Sequence, residues 1–218
     1  VTDAPDLDAV RRDYDRMADR YTEFVRDPLV VEPCTRALID VFADLVLALG
    51  TTRQVADLGC GPGHLTDHLS QLGLSARGID LSPALIDIAR RNRPDLAFEV
   101  GSILDLDIAD CSLGGVLAHY STIHTLPKHV PTVFAEFARV ITPGGYILLA
   151  FQSGDDTLEG WEAFDHKVSP AYRWSIDTLA DLLRAAGLIE MARLRVQPPP
   201  TQRFPAGVLL AGKFATAG

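Results

Sequence analysis

Apolar positions recur along this chain in two periods, and the change from one to the other falls near residue 50. Before it, Val10, Tyr14, Met17 and Tyr21 mark one face of a helix in DAVRRDYDRMADRYTEFV, and CTRALIDVFADLVLALG carries a second helical face that closes on Gly50. After it, short apolar runs alternate with helical stretches. RQVADLG reads as a first strand, HLTDHLSQLG as a helix ending at Gly73, and SARGIDLS as a second strand. Ser82 and Pro83 then supply an N-cap and a first-turn proline for the next helix. LAFEVGS and LGGVLAHYS are predicted as strands three and four, and VPTVFAEFARVITPGG as a helix ending in a glycine turn. GYILLAFQ is predicted as strand five, SIDTLADLLRAAG as an amphipathic helix, and LIEMARLRV and GVLLAGKF as strands six and seven.

Alternating strands and helices with apolar strands predict an α/β fold with a mostly parallel sheet covered by helices on both faces. The last two strands have no helix between them. Their connection, QPPPTQRFPA, suits a long hairpin that makes the final strand antiparallel.

The chemistry concentrates in VADLGCGPGHL, Val55 to Leu65. A short buried strand breaks there into Gly59, Gly61 and Gly63 and enters a helix near His64, whose first N–H groups lack intrahelical partners. The spacing is G-x-G-x-G after Asp57, not the G-x-G-x-x-G of a dinucleotide fingerprint, which disfavours an NAD-dependent oxidoreductase. The plain alternative is a tight turn without a ligand. Against it stands Asp80, 23 residues after Asp57, close to the interval of about 20 at which such units place an acid on ribose hydroxyls.

D-L-G-C-G-P-G with the acid that closes ARGID resembles motifs I and II of class I S-adenosylmethionine-dependent methyltransferases, small-molecule type. The resemblance runs from about Tyr14 onward and includes the TPGG turn. It implies a Rossmann-like, seven-stranded, mostly parallel sheet with the last strand antiparallel and inserted beside strand five. It also implies S-adenosylmethionine as cofactor, S-adenosylhomocysteine as product, and methyl transfer to O, N or C of a small metabolite. The alternative of a different class is a non-methylating protein of the same fold, cyclase-like or a partner subunit. Residues 1–50 are then expected to form a helical cap over the cofactor site, and 51–218 the methyltransferase core.

On the same resemblance Asp57, Gly59, Gly61, Gly63 and His64 pass under the methionine and ribose, Asp80 accepts from the ribose hydroxyls, and Leu81 lies on the adenine. Gly101, Ser102 and Ile103 stand where the family often has Gly-Asp at the adenine edge, with Asp105 as a possible substitute; the sequence departs from the pattern there. His119 and Tyr120 end strand four near the methionine, and YDRMADRY resembles the family's opening helix, with Tyr21 closing over the cofactor and Tyr14 toward the acceptor. No NPPY-type motif follows strand four, which lowers base or glutamine amino groups as acceptors.

The long segment at about 152–174 mixes aromatics and charges, as binding lids do. It is expected to cover the acceptor with Gln152, Trp161, Asp165, Lys167, Arg173 and Trp174, joined by Arg203. The ordinary alternative is a surface loop with its own aromatic cluster. His124 and His166 are the candidate bases, since imidazole exchanges protons near neutral pH; the alternative for each is packing.

Composition narrows the partners. A net charge of −9 without a basic stretch longer than Arg90-Arg91 works against nucleic acid and leaves a small-molecule acceptor. No apolar run approaches the roughly 20 residues of a membrane span, and no signal peptide is visible, so a cytoplasmic protein without a membrane partner is expected. Three dispersed cysteines suggest neither a disulfide framework nor a zinc site, and no H-E-x-x-H or carboxylate cluster points to a metal.

Overall fold

The computed structural model describes residues 7–25, 32–198 and 203–214. The chain positions 1–6, 26–31, 199–202 and 215–218 lie outside it, and with them the PPTQ part of the expected hairpin connection and parts of the expected 1–50 cap.

Its elements run α1 (Leu7–Val25), α2 (Pro33–Leu49), β1 (Gln54–Leu58), α3 (His64–Gln71), β2 (Ser75–Asp80), α4 (Pro83–Asn92), β3 (Ala97–Val100) and β4 (Leu113–His119). After them come α5 (Val130–Val140), β5 (Ile141–Gln152), β6 (Trp161–Phe164), β7 (Ala171–Trp174), α6 (Ile176–Ala185), β8 (Ile189–Val196) and β9 (Ala206–Gly212). Seven strands form one sheet in the order β3-β2-β1-β4-β5-β9-β8. Pairing is parallel from β3 to β5, and β9 runs antiparallel between β5 and β8. The order reverses beside β1, and ligands of open α/β sheets bind outside the carboxyl ends of the strands at such a reversal.

Period-two alternation in the central strands sends side chains to both faces. Ile147, Leu149 and Phe151 of β5 join Phe134, Phe137, Leu179 and Leu183 of α5 and α6, while Leu148 and Ala150 join Ile39, Phe42 and Val46 of α2 and Leu65 and Leu69 of α3. Phe42, Phe134 and Phe137 are fully enclosed, and each large aromatic contributes heavily to burial. α2 therefore lies against the sheet. α1 docks on α4 through Ala18, Leu85 and Ile88 and reaches across the carboxyl ends of the strands.

Two local expectations need correction. The helix before strand five ends at Val140, and TPGG is not a turn ahead of the strand but an irregularity inside it, because Ile141 already pairs with Leu113 and the ladder resumes at Tyr146 opposite Gly115. Gly144 there takes a positive φ of 86°. The 152–174 segment is not loop throughout. β6 and β7 form a separate antiparallel pair with Trp161 opposite Trp174 and Phe164 opposite Ala171. These strands were too short to read from alternation.

Candidate active site

The loop between β1 and α3 turns at Gly59 and Gly61, both at positive φ (74° and 54°), where only glycine sits without strain. A Cβ on Gly59 would stand 2.3 Å from that of Ser121, and one on Gly61 would stand 3.3 Å from the Tyr21 ring. The bare backbone is what keeps the cleft open.

Asp80 holds this loop from the end of β2. One carboxylate oxygen accepts from Gly61 N–H and the other from Ser82 N–H, each at 2.8 Å. Every oxygen keeps a lone pair for a further donor. Burial raises the Asp80 pKa, and the two backbone N–H groups oppose that rise. Asp57 lies beneath the loop, 1% exposed, accepting from Thr66 Oγ1 at 2.7 Å. Its pKa is pushed up to about 7 by burial, with the Asp80 charge adding to the rise.

Above the loop, an open cleft of about 790 Å³ is walled by Leu7, Val10, Tyr14 and Tyr21 of α1, by Leu81 and Leu85 after β2, by Gly101 to Leu104, and by His119 to Ser121, His124 and Thr125 after β4. That volume includes space open to solvent. The Tyr14 and Tyr21 rings meet edge-on with centroids 5.5 Å apart, and His119 and Tyr120 do the same at 4.8 Å. Tyr120 adopts a positive φ of 57°, uncommon for a bulky residue, which turns it at the cleft rim. Burial pushes its hydroxyl up to about 12.

Long-range contacts tie α1 to this cleft. The Tyr14 hydroxyl lies 3.0 Å from His124 Nε2, while His124 Nδ1 lies 2.9 Å from the Pro170 carbonyl oxygen. A carbonyl only accepts, so Nδ1 carries the proton and Nε2 of the neutral ring accepts from Tyr14. Asp15 accepts from Ser82 Oγ at 2.5 Å and from Ala84 N–H at 3.2 Å, joining α1 to the start of α4. Half-buried His64 and His119 have pKa values lowered to about 4 and about 3 by desolvation, so both are neutral at neutral pH. Two buried atoms near this end, His64 Nδ1 and Ser121 Oγ, have no hydrogen-bond partner among the described residues.

Of the residues singled out from sequence, Tyr14, Tyr21, Gly59, Gly61, Asp80, Leu81, Gly101, Ser102, Ile103, His119, Tyr120 and His124 meet at this cleft. Asp57, Gly63 and His64 lie behind its wall, and Asp105 is exposed away from it. The 152–174 group does not line it. His166 comes near through His124, at 5.1 Å between centroids. Trp174 is buried in the core shared with α5 and α6, and Trp161 is exposed against Tyr172. Arg173 pairs with Glu162 and stacks on Phe204, and Arg203 stacks on the same ring. Asp165 and Lys167 are exposed, and buried Gln152 Oε1 is unpartnered. Sequence reading passed over Ser121, Thr125 and Asp15. Ser121 follows His119-Tyr120 directly, which was the available signal.

The methyltransferase domain family matches residues 55–145. Trans-aconitate 2-methyltransferase of Delftia acidovorans is 35% identical over 198 residues, covering 84% of this chain and 63% of that protein. The chain spans 43–63% of the length of the curated relatives it matches. Among solved structures, Burkholderia thailandensis 1,6-didemethyltoxoflavin-N1-methyltransferase, with bound 1,6-didemethyltoxoflavin and S-adenosylhomocysteine, superimposes with a TM-score of 0.77 at 22% identity, over 99% of this chain and 92% of that one. The [4+2]-cyclase SpnF reaches 0.78 at 17% identity, over 98% of each chain. Among the described residues no helix is long and apolar enough to cross a membrane. With this sheet order, a methyltransferase domain match over residues 55–145 and 35% identity to a trans-aconitate 2-methyltransferase over 198 residues, the chain is similar to class I S-adenosylmethionine-dependent methyltransferases.

Proposed function

We propose that the protein transfers a methyl group from S-adenosylmethionine to a small molecule bound in the cleft under α1. The observation that carries the reading is the meeting of the glycine turn, the Asp80 carboxylate and an aromatic wall at one opening beside β1. The cleft also fits the cofactor on its own terms: a Cβ on Gly61 would crowd the Tyr21 ring across the opening, and Ser121 Oγ, in the lining, has no hydrogen-bond partner among the described residues.

Asp80 would hold the ribose hydroxyls with its remaining lone pairs, and Leu81, Ser102 and Ile103 would flank the base. Tyr21 and His119 would border the methionine. When bound, S-adenosylmethionine supplies a methyl group already activated on a sulfonium. The chain then has to orient the acceptor, exclude water and take a proton where the acceptor carries one. His124 fits the last role, with Nε2 accepting from the Tyr14 hydroxyl at the cleft wall and Nδ1 anchored on Pro170. The segment 152–174, through His166 against His124, is assigned the side of the site where the acceptor enters, and α1 the cover.

The test is calorimetry with S-adenosylhomocysteine on the full chain. Binding at one site is expected, weakened by about 1.5–3 kcal/mol in Asp80→Ala, the range for hydrogen bonds to a charged group. Unchanged affinity in that variant, or preference for NAD, would overturn the reading. Cofactor binding without methylated product from any acceptor would move it to a non-methylating protein of this fold.

A further inference from the structure

The cleft has an unusual charge balance for a site that would receive an acidic metabolite. Among the described residues no Lys or Arg lines it, while Asp80 does and buried Asp57 lies just beneath. On the 152–174 side, Arg173 is 2.6 Å from Glu162 and stacked on Phe204, with its buried Nε unpartnered among the described residues, and Arg203 is stacked on the same ring. Removing a carboxylate from water without a cationic side chain beside it costs several kcal/mol, and the Asp80 charge adds to that. A cationic ammonium acceptor is disfavoured too, because it has no lone pair to take a methyl group. What the cleft offers beyond the residues assigned to the cofactor is ring edges and apolar wall, from Tyr14, Tyr120, Val10 and Leu104.

The same wall holds a proton path. Tyr14 and His124 both line the cleft, and the Tyr14 hydroxyl donates to Nε2 of a ring whose Nδ1–H is tied to Pro170. Around His124 stand Tyr14 and Asp13 from α1 and His166 from the segment before β7; Asp13 favours the protonated ring, and burial opposes it. Resting on the methyl-transfer reading above, we propose that the acceptor is an uncharged planar ring bearing an O–H or N–H group, and that Tyr14 relays its proton to Nε2 of His124. The acceptor's lone pair takes the methyl, its proton passes to the Tyr14 oxygen as the Tyr14 proton passes to Nε2, and the electrons of the broken S–C bond stay on sulfur. Imidazolium then returns the proton to solvent. This separates the chain from its relative named for trans-aconitate, a tricarboxylate.

The experiment is calorimetry on the full chain saturated with S-adenosylhomocysteine, with 8-hydroxyquinoline and catechol set against trans-aconitate and malonate. Saturation by the homocysteine itself checks the function reading; its failure removes that reading and this one together. Given saturation, the hydroxylated rings should bind at least about tenfold more tightly than the carboxylates. Tyr14→Phe should leave ring affinity within about threefold yet lower turnover by about 10²–10⁴-fold at neutral pH, with the deficit shrinking as the pH approaches the acceptor's own pKa. Tighter binding of the carboxylates, binding of neither class, or a Tyr14→Phe protein with wild-type turnover would overturn the proposal. Carboxylate binding abolished by Arg173→Met would assign anion recognition to Arg173 instead, with the same result.

Discussion

Asp57 offers the sharpest test of the electrostatics under the glycine loop. It is 1% exposed, its described hydrogen-bond partner is the Thr66 hydroxyl, and its pKa rises from an ordinary 3.8 to about 7. A carboxyl that holds its proton more tightly in the fold stabilises the fold fully below its unfolded pKa, and that stabilisation is lost as pH rises through the folded value. Here the window runs from 3.8 to about 7. At 1.36 kcal/mol per unit, the whole shift corresponds to about 4 kcal/mol, an upper figure because the surroundings relax around the charge. Asp57→Asn keeps an oxygen for Thr66 and cannot ionise. Its stability relative to wild type should therefore climb between about pH 4 and 7 and level off above, by up to about 4 kcal/mol. Urea denaturation of both proteins at a series of pH values isolates this term, since every other titrating group is common to the two. A difference independent of pH, or a variant less stable than wild type at about pH 8, would mean that Asp57 is ionised in the fold with a stabilising partner, and the reasoning would fail.

The half-buried histidines act in the opposite sense. With pKa values lowered to about 4, 3 and 4 for His64, His119 and His166, they stabilise the fold above an ordinary histidine pKa and lose that contribution as pH falls through the lowered values. In the Asp57→Asn background, unfolding at about pH 5.5 should take up about three protons, measured as the slope of stability against pH. Gly59→Ala meets Ser121 at 2.3 Å from a positive φ and should cost more than about 2 kcal/mol in denaturant unfolding, whereas Gly73→Ala, with nothing within 4 Å, should cost only the conformational 1–2 kcal/mol or so. Phe134→Ala, in the core between α5 and the sheet, should cost about 3–5 kcal/mol in the same assay.

What could be read from the sequence was what is encoded locally. The glycine turn, the acid that ends β2, the Ser82 cap and the apolar runs of the central strands each announce themselves within a few residues, and their order implies the sheet. The contacts that finish the cleft are of another kind. Tyr14 meets His124 across 110 positions and Asp15 meets Ser82 across 67, and neither distance leaves a trace in periodicity. β6 and β7 are four residues each, too short for alternation to declare itself, so their segment read as unbroken loop. Trp174 looked like a ligand contact for the same reason, although its strand turns it into the core. The engagement of Arg173 by Glu162 and Phe204 depends on a hairpin register and a distant loop, so charge alone suggested a free cation.

The place of β9 also bears on how the molecule comes to be made. Its seven residues are all buried, wedged between β5 and β8, and among the described residues β8 has no other strand beside it. Until those residues leave the ribosome, a nascent chain carries two unsatisfied strand edges, including the long apolar edge of β5, with roughly sixty residues of already synthesised chain between β5 and its partner. The parallel half, with its glycine turn and Asp80, needs nothing from that late strand to pair. Synthesis thus runs from ligand site to seal, and a chain interrupted before β9 would hold much of its cofactor cradle yet be exposed to edge-to-edge aggregation. Chaperone dependence is expected to concentrate between the emergence of β5 and that of β9.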